Sequence, residues 1–189
     1  MSKEKQITET GFWVCKNPDI YKFDEKLADA LADFIGNDTF ADMGCGNGAY
    51  TKYLIAKGLT GVCSDGNPHT PEISDGLCEV YDLSKPMDKN HEPKIYDWVL
   101  CLEVAEHVPK QYESTLVENV KMHCQKGIII SWAIPGQGGH GHVNEKSNEY
   151  VRGLFDGSEY TPDIIAEEKM REAARLPWFK NSLMVFKKV

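Results

Sequence analysis

The sequence predicts an α/β fold of three layers: a mostly parallel sheet, an antiparallel C-terminal strand, and helices on both faces. Two observations carry that expectation. Through the middle of the chain, short and mostly apolar runs of strand length alternate with stretches whose apolar residues recur at helical spacing. Strands that are apolar on both sides belong between two layers of helices, and strict alternation makes their sheet parallel. At the C-terminus a further apolar run, SLMVFKKV, follows a helical stretch and reads as a last strand of opposite direction. No repeat, low-complexity tract or linker divides the 189 residues, so a single domain over 1–189 is expected, large enough to bury a core without disulfides or structural metals.

The elements follow in order. In NPDIYKFDEKLADALADFIG, Asn17 can cap and Pro18 can take the first helical position. Phe23, Leu27, Leu31, Phe34 and Ile35 then recur at helical spacing until Gly36 ends the helix. TFADMGC, about 39 to 45, is a short strand running into glycines, and AYTKYLIAK is a helix closed by Gly58. LTGVCSD, LCEVYDL, YDWVLCLEV and GIIISWAI read as further strands. VPKQYESTLVENVKMHCQ reads as a helix with Leu116, Val117 and Val120 on one side. EKSNEYVRGLF reads as another, capped by Asn144 or Ser147, with Tyr150, Val151 and Leu154 facing inward. TPDIIAEEKMREAARLPWF begins with a Thr-Pro helix start. Phe12, Trp13, Trp132, Trp178 and Phe179 are expected mostly to fill the core.

Composition narrows the function. Twenty-one basic against 29 acidic residues give a net charge of -8, with no basic run, which counts against a nucleic-acid partner. The N-terminus is polar and no apolar stretch is long enough to span a membrane, so neither secretion nor a membrane span is expected. Six cysteines scattered singly, most within apolar stretches, predict free thiols in a reducing, cytoplasmic compartment.

ADMGCGNGAYTKYL places Gly44, Gly46 and Gly48 after a strand and before a helix, where the chain must turn tightly and let a ligand reach the backbone. The pattern is acidic-x-G-x-G-x-G, unlike the G-x-G-x-x-G of dinucleotide sites, and no Lys-Ser/Thr closes it as in a P-loop. It resembles motif I of the Rossmann-like class I S-adenosylmethionine-dependent methyltransferases, and later segments resemble that family in order over roughly residues 20 to 189. The resemblance implies S-adenosylmethionine as cofactor, held by Asp42, Gly44, Cys45 and Gly46. It implies Asp65 and Gly66 of GVCSDGN at the ribose, a role suited to a carboxylate that accepts two hydrogen bonds. Asp82 and Leu83 of CEVYDLS would meet the adenine, and Leu102, ending YDWVLCLEV, would face the methionine part. The segment TGFW, within residues 1–19, lies where this family often forms a lid. The competing expectation is a non-catalytic domain whose glycines and acids merely serve turns, against which stand four motifs in order at the carboxyl ends of successive strands.

After the fourth strand, EVAEHVP offers Glu103, Glu106 and His107, which share one face if the segment turns helically. Two carboxylates and an imidazole suit Mg2+, Mn2+, Fe2+ or Zn2+. The pattern is similar to the E-x-x-E-H of the small-RNA 3'-terminal 2'-O-methyltransferases and the ubiquinone-pathway O-methyltransferases. The resemblance implies a divalent cation held by Glu103, Glu106, His107 and a later histidine, His142 or alternatively His140. In metal-free members the carboxylate faces the cofactor instead, and the histidine packs or caps the next helix.

GQGGHGHVN follows the fifth strand and so emerges on the cofactor edge of the sheet. If extended, its H-G-H places both imidazoles on one side, with His142 preferred because it precedes the next helix. With no large insertion after that strand and no appended recognition domain, a small or exposed acceptor is expected. The expected function is methyl transfer to a hydroxyl of a small metabolite or sugar, with Glu103, His107 and His142 orienting or deprotonating the acceptor. The alternatives are a metal-dependent 2'-O-methyltransferase of RNA termini and a non-catalytic cofactor- or partner-binding module.

Overall fold

A computed structural model of the chain describes residues 6–86, 94–155, 157 and 159–189. The first five residues of the N-terminal segment lie outside the described residues. The chain opens with a two-stranded antiparallel hairpin, β1 (Gln6–Ile7) and β2 (Trp13–Val14). There follow α1 (Glu25–Ile35), β3 (Thr39–Met43), α2 (Ala49–Ala56), β4 (Thr60–Asp65), α3 (Thr70–Ile73), β5 (Glu79–Val80), β6 (Tyr96–Leu102), α4 (Glu113–Met122) and β7 (Cys124–Ser131). The last third holds α5 (Asn148–Phe155), β8 (Tyr160–Pro162), α6 (Ile164–Ala173), α7 (Pro177–Ser182) and β9 (Leu183–Lys188). Seven strands form the main sheet in the order β5-β4-β3-β6-β7-β9-β8.

Strands β3 through β7 pair in parallel, and β9 runs antiparallel to β7 in the register Ile129↔Val185. This is the sheet the alternation predicts, and both of its faces are apolar for the expected reason. Val99, Cys101, Ile128 and Ile130 point to one side, where Leu116, Val117, Val120, Val151 and Phe155 of α4 and α5 cover them. Leu100, Ile129 and Val185 point to the other, against Leu27, Leu31, Ile35, Leu54 and Met170 of α1, α2 and α6. Strand order reverses between β3 and β6, so the carboxyl ends of these two neighbours frame a crevice. No described helix is long and apolar enough to cross a membrane.

Several local expectations are corrected. Asn17 and Pro18 start only a 3-10 turn, Pro18–Ile20. Helix α1 begins later because Asp24 is the stronger cap: its Oδ1 accepts from the amides of Lys26 and Leu27, each at 3.1 Å. Phe23 therefore precedes the helix and is 37% exposed. Thr161 and Pro162 do not open a helix but form the edge strand β8, where a proline costs no ladder bond, and Asp163 caps α6. Ser147, not Asn144, serves the start of α5, its Oγ accepting from the amide of Tyr150 at 3.2 Å. Tyr150 faces outward on that helix while Val151 is buried.

The cysteines also depart from expectation. Cys63 and Cys78 form a disulfide, whereas Cys15, Cys45, Cys101 and Cys124 are free. Strand pairing explains why scattered positions meet. Ser64 lies opposite Glu79 and Asp65 opposite Val80, so the residue just before each pair is brought side by side with its counterpart.

Candidate active site

Strand β3 ends at Met43 and the next five residues wind into a loop that only glycine permits at three places. Gly44, Gly46 and Gly48 have φ of 88°, 59° and 72°. A Cβ on Gly44 would lie 2.3 Å from Val104, and one on Gly46 would lie 2.3 Å from the Tyr21 ring. The amides of Gly44 and Cys45 both donate to the Ser64 carbonyl, at 2.7 and 3.0 Å, which ties the loop to β4. Beneath it Asp42 is buried and accepts from Thr51 Oγ1 at 2.8 Å. Burial pushes its carboxyl up to about 7; the Thr51 bond opposes the shift and the charge of Asp65 adds to it.

Asp65 ends β4. Its two carboxylate oxygens accept from the amides of Gly46 and Asn67, both at 2.8 Å, while burial raises its carboxyl above the usual range. Asp82 lies beyond β5 and accepts from Ser84 Oγ at 2.6 Å and from Thr10 Oγ1 at 3.4 Å. Leu83 is buried beside it and Leu102 is half-buried at the end of β6. Asp42, Asp65 and Asp82, with Leu83 and Leu102, line one cavity of about 500 Å3 together with the start of the glycine loop.

The second group stands on the same cavity. Segment 103–108 is a set of turns and not a helix, entered by Glu103 with φ 55°. Side chains still converge, because the Glu106 carbonyl accepts from the amides of Val143 and Asn144 at 2.9 and 3.0 Å and so docks the second glycine loop onto this turn. Ligand atoms of Glu106, His107 and His142 all lie within 4.8 Å of one another. The imidazoles of His107 and His142 meet edge to face at 4.9 Å. His107 Nδ1 faces the Gly141 carbonyl at 3.2 Å, and His142 Nδ1 faces Glu145 Oε1 at 3.2 Å. Both partners can only accept, so each Nδ1 carries a proton.

Glu106 is 0% exposed, and neither carboxylate oxygen has a hydrogen-bond partner among the described residues. Burial and the neighbouring charge of Glu103 push its carboxyl well above the usual range. Glu103 neighbours Glu106 but is not one of the three residues whose ligand atoms lie within 4.8 Å of one another. It accepts from Gln137 Nε2 at 3.0 Å and from Ser182 Oγ at 3.3 Å, and burial raises its carboxyl too.

The loop 136–144 is wound and not extended: Gly136, Gly138 and Gly141 all have positive φ. Glu145 organises it, accepting from the amides of Gly136 and Gly138, both at 2.8 Å. Both His140 and His142 line the cavity, but only His142 joins Glu106 and His107. His142 points to Glu106, with Nε2 4.0 Å from Oε1, while His140 is exposed and rests against the Trp13 ring at 6.2 Å.

Residues 10–13, within an N-terminal strap of residues 6–17, line the cavity. Trp13 stacks on Tyr21 at 6.0 Å and meets His107 edge-on at 5.1 Å. Asn67, fully buried, holds this strap: its Nδ2 donates to the Cys15 carbonyl at 2.7 Å and its Oδ1 accepts from Cys15 N at 3.4 Å. Of the five aromatics expected mostly to fill the core, Trp132 and Phe179 are buried, but Phe12, Trp13, Trp178 and Phe179 itself line the cavity. Asn67, Gln137, Glu145 and Ser182 escaped the sequence reading. Asn67, Gln137 and Ser182 are single polar residues whose partners lie on other elements, and Glu145 gathers its own loop through backbone amides, so no side-chain spacing marks any of them.

Neither a protein-family model nor a curated protein sequence matches the chain. Solved structures do. Magnesium protoporphyrin IX methyltransferase from Synechocystis, with bound S-adenosylhomocysteine, superposes with a TM-score of 0.63 at 16% identity, over 87% of this chain and 82% of that one. A TehB-like S-adenosylmethionine-dependent methyltransferase from Corynebacterium glutamicum gives 0.63 at 14% identity, over 87% and 88%. The 1,6-didemethyltoxoflavin-N1-methyltransferase of Burkholderia thailandensis gives 0.59 at 16%, over 87% and 77%. With the glycine loop, the carboxylates at the strand ends and the reversal of strand order between β3 and β6 all in place, the chain has the fold of the class I S-adenosylmethionine-dependent methyltransferases.

Proposed function

We propose that the chain is an enzyme that transfers a methyl group from S-adenosylmethionine to a hydroxyl of a small metabolite or sugar. The observation that carries this reading is the convergence of Glu106, His107 and His142 on the cavity that the glycine loop also lines. A volume of about 500 Å3 lies in the range of small-molecule sites and suits a cofactor with a compact acceptor. Asp42, Gly44, Cys45 and Gly46 would hold the cofactor from the loop, Asp65 and Gly66 at the ribose, Asp82 and Leu83 at the adenine, and Leu102 at the methionine end.

The cofactor supplies a methyl already activated by a positive sulfur, so alignment of the acceptor supplies much of the catalysis. His107 or His142 would orient an acceptor hydroxyl and take its proton as the oxygen receives the methyl. Trp13 and the strap would exclude water from the reacting atoms.

The donor set also fits a divalent cation. A buried carboxylate with two unpartnered oxygens, beside two imidazoles whose other nitrogens are engaged, is a ligand set of mixed hardness. Glu106, His107 and His142 would hold the ion, with Glu103 next to them. Bound there, it would lower the pKa of an acceptor hydroxyl. The same triad favours a second reading, a 2'-O-methyltransferase of RNA termini, against which the net charge of -8 stands.

Cofactor titration of the parent and of Asp42→Ala tests the premise, and absence of binding by the parent sinks it. Labelled-methyl transfer to a panel of polyols, sugars and short RNAs, with and without a chelator, then separates the readings. Chelator-resistant turnover removes the metal.

A further inference from the structure

A second cluster of metal-ligating side chains lies beside the first glycine loop and shares only Cys45 with the proposed cofactor site. Sulfur atoms of Cys45, Cys63 and Cys78 all lie within 4.8 Å of one another. They come from three elements: the loop after β3, the body of β4 and the residue before β5. The space they occupy is made by Gly48, where a Cβ would lie 2.6 Å from Cys78 Sγ and 3.8 Å from Cys63 Sγ. Cys63 and Cys78 are buried and form a disulfide, while Cys45 lines the cavity and gives the cluster an opening to it.

We propose that, when the disulfide is reduced, Cys45, Cys63 and Cys78 form a site for a divalent thiophilic cation of the zinc and cadmium class. Three thiolates around a tetrahedral ion with metal–sulfur bonds of about 2.3 Å stand about 3.8 Å apart, so the bonded sulfurs of Cys63 and Cys78 must move apart once reduced, with Cys45 already within reach. The fourth position faces the cavity and takes water. A divalent ion suits the place better than a monovalent one. Burial first, and then the charges of Asp42 and Asp65, push the Cys45 thiol up, so the lower the net negative charge of the complex, the smaller the repulsion.

The chemistry balances in two steps. A phosphine reductant breaks the sulfur–sulfur bond, is oxidised to its oxide with oxygen from water, and the water's two protons end on Cys63 and Cys78. The ion then binds as three thiol protons leave to solvent and three metal–sulfur bonds form. Disulfide and metal complex exclude each other, so oxidation releases the ion.

The proposal is independent of the acceptor and of the Glu106 triad. The test is titration of the whole chain with Cd2+ after phosphine reduction, reading thiolate-to-metal charge-transfer absorption and bound metal. One equivalent with a thiolate band is expected in the reduced chain. The band should be lost in Cys45→Ser and Cys63→Ser, absent without reduction, and retained in Cys124→Ala. Cys45→Ser keeps the cysteine pair of the parent, so it serves if Cys63→Ser does not fold. Cadmium bound only by Glu106, His107 and His142 gives no thiolate band and overturns the proposal, as does a Cys45→Ser chain with the band of the parent.

Discussion

Asp42 lies beneath the cofactor loop with a carboxyl pushed up to about 7 by burial, against an ordinary value of 3.8. A carboxyl raised in this way stabilises the fold as the neutral acid. That contribution is complete below the unfolded value and is lost as pH rises through about 7. Asp42→Asn keeps an acceptor for Thr51 Oγ1 and carries no charge. It should therefore raise the unfolding free energy at pH 8 by a few kcal/mol, since a tenfold change in proton affinity is worth about 1.4 kcal/mol, and change it little at pH 4. Thermal melts of the cofactor-free protein at the two pH values check this; equal effects at both would refute it. Glu106 is a second buried acid, raised by burial and by the charge of Glu103. Glu106→Gln should stabilise the unliganded protein increasingly as pH rises, because the amide cannot take on the charge that burial and Glu103 disfavour. Turnover should fall at least tenfold with cofactor affinity nearly unchanged, which separates the acceptor side of the cavity from the cofactor side.

At the level of elements, caps and loops decide where the machinery sits. Asp24 begins α1 and also receives the amides of Arg175 and Leu176 at 2.6 and 2.7 Å, so one carboxylate ties the first helix to the start of α7. Its removal takes away a helix cap and leaves two amides without their acceptor. Asp24→Ala should cost about 3 kcal/mol in urea unfolding, more than the ~1 kcal/mol of an ordinary cap. Gly44→Ala must place a Cβ 2.3 Å from Val104 at φ 88°. That change should weaken cofactor binding by roughly tenfold or more, the effect of about 1.4 kcal/mol of strain. A combined Val104→Ala should restore part of it, since it relieves the contact and leaves the dihedral cost.

For the molecule as a whole, charge and sheet topology set the choice of partner. A net charge of -8 repels a phosphate backbone, and affinity for short RNA should be weak and fall steeply between low and physiological salt. Tight, salt-insensitive RNA binding in a fluorescence titration would favour the RNA-terminus reading over the small-acceptor one. The parallel strands β3, β6 and β7 bring both glycine loops to one edge of the sheet, where residues 10–13 line the same cavity.

The layer order, the parallel strands, the antiparallel β9 and the first glycine loop were legible in the sequence, because each rests on local rules: apolar periodicity, strand length and glycine placement. So was the pairing of EVAEH with His142, though through resemblance to a family and not through geometry. The sequence left undecided everything that depends on which distant residues meet. Asp24 outcompeted Asn17 as a cap because α7 delivers two more amides to it. Cys63 met Cys78 because of strand register, Glu103 turned to Gln137 and Ser182, and positive φ at three glycines wound the second loop so that only His142 faces Glu106. Periodicity determines which face of an element is apolar. Contacts between elements, and therefore the assembly of the candidate site, are decided by packing in three dimensions.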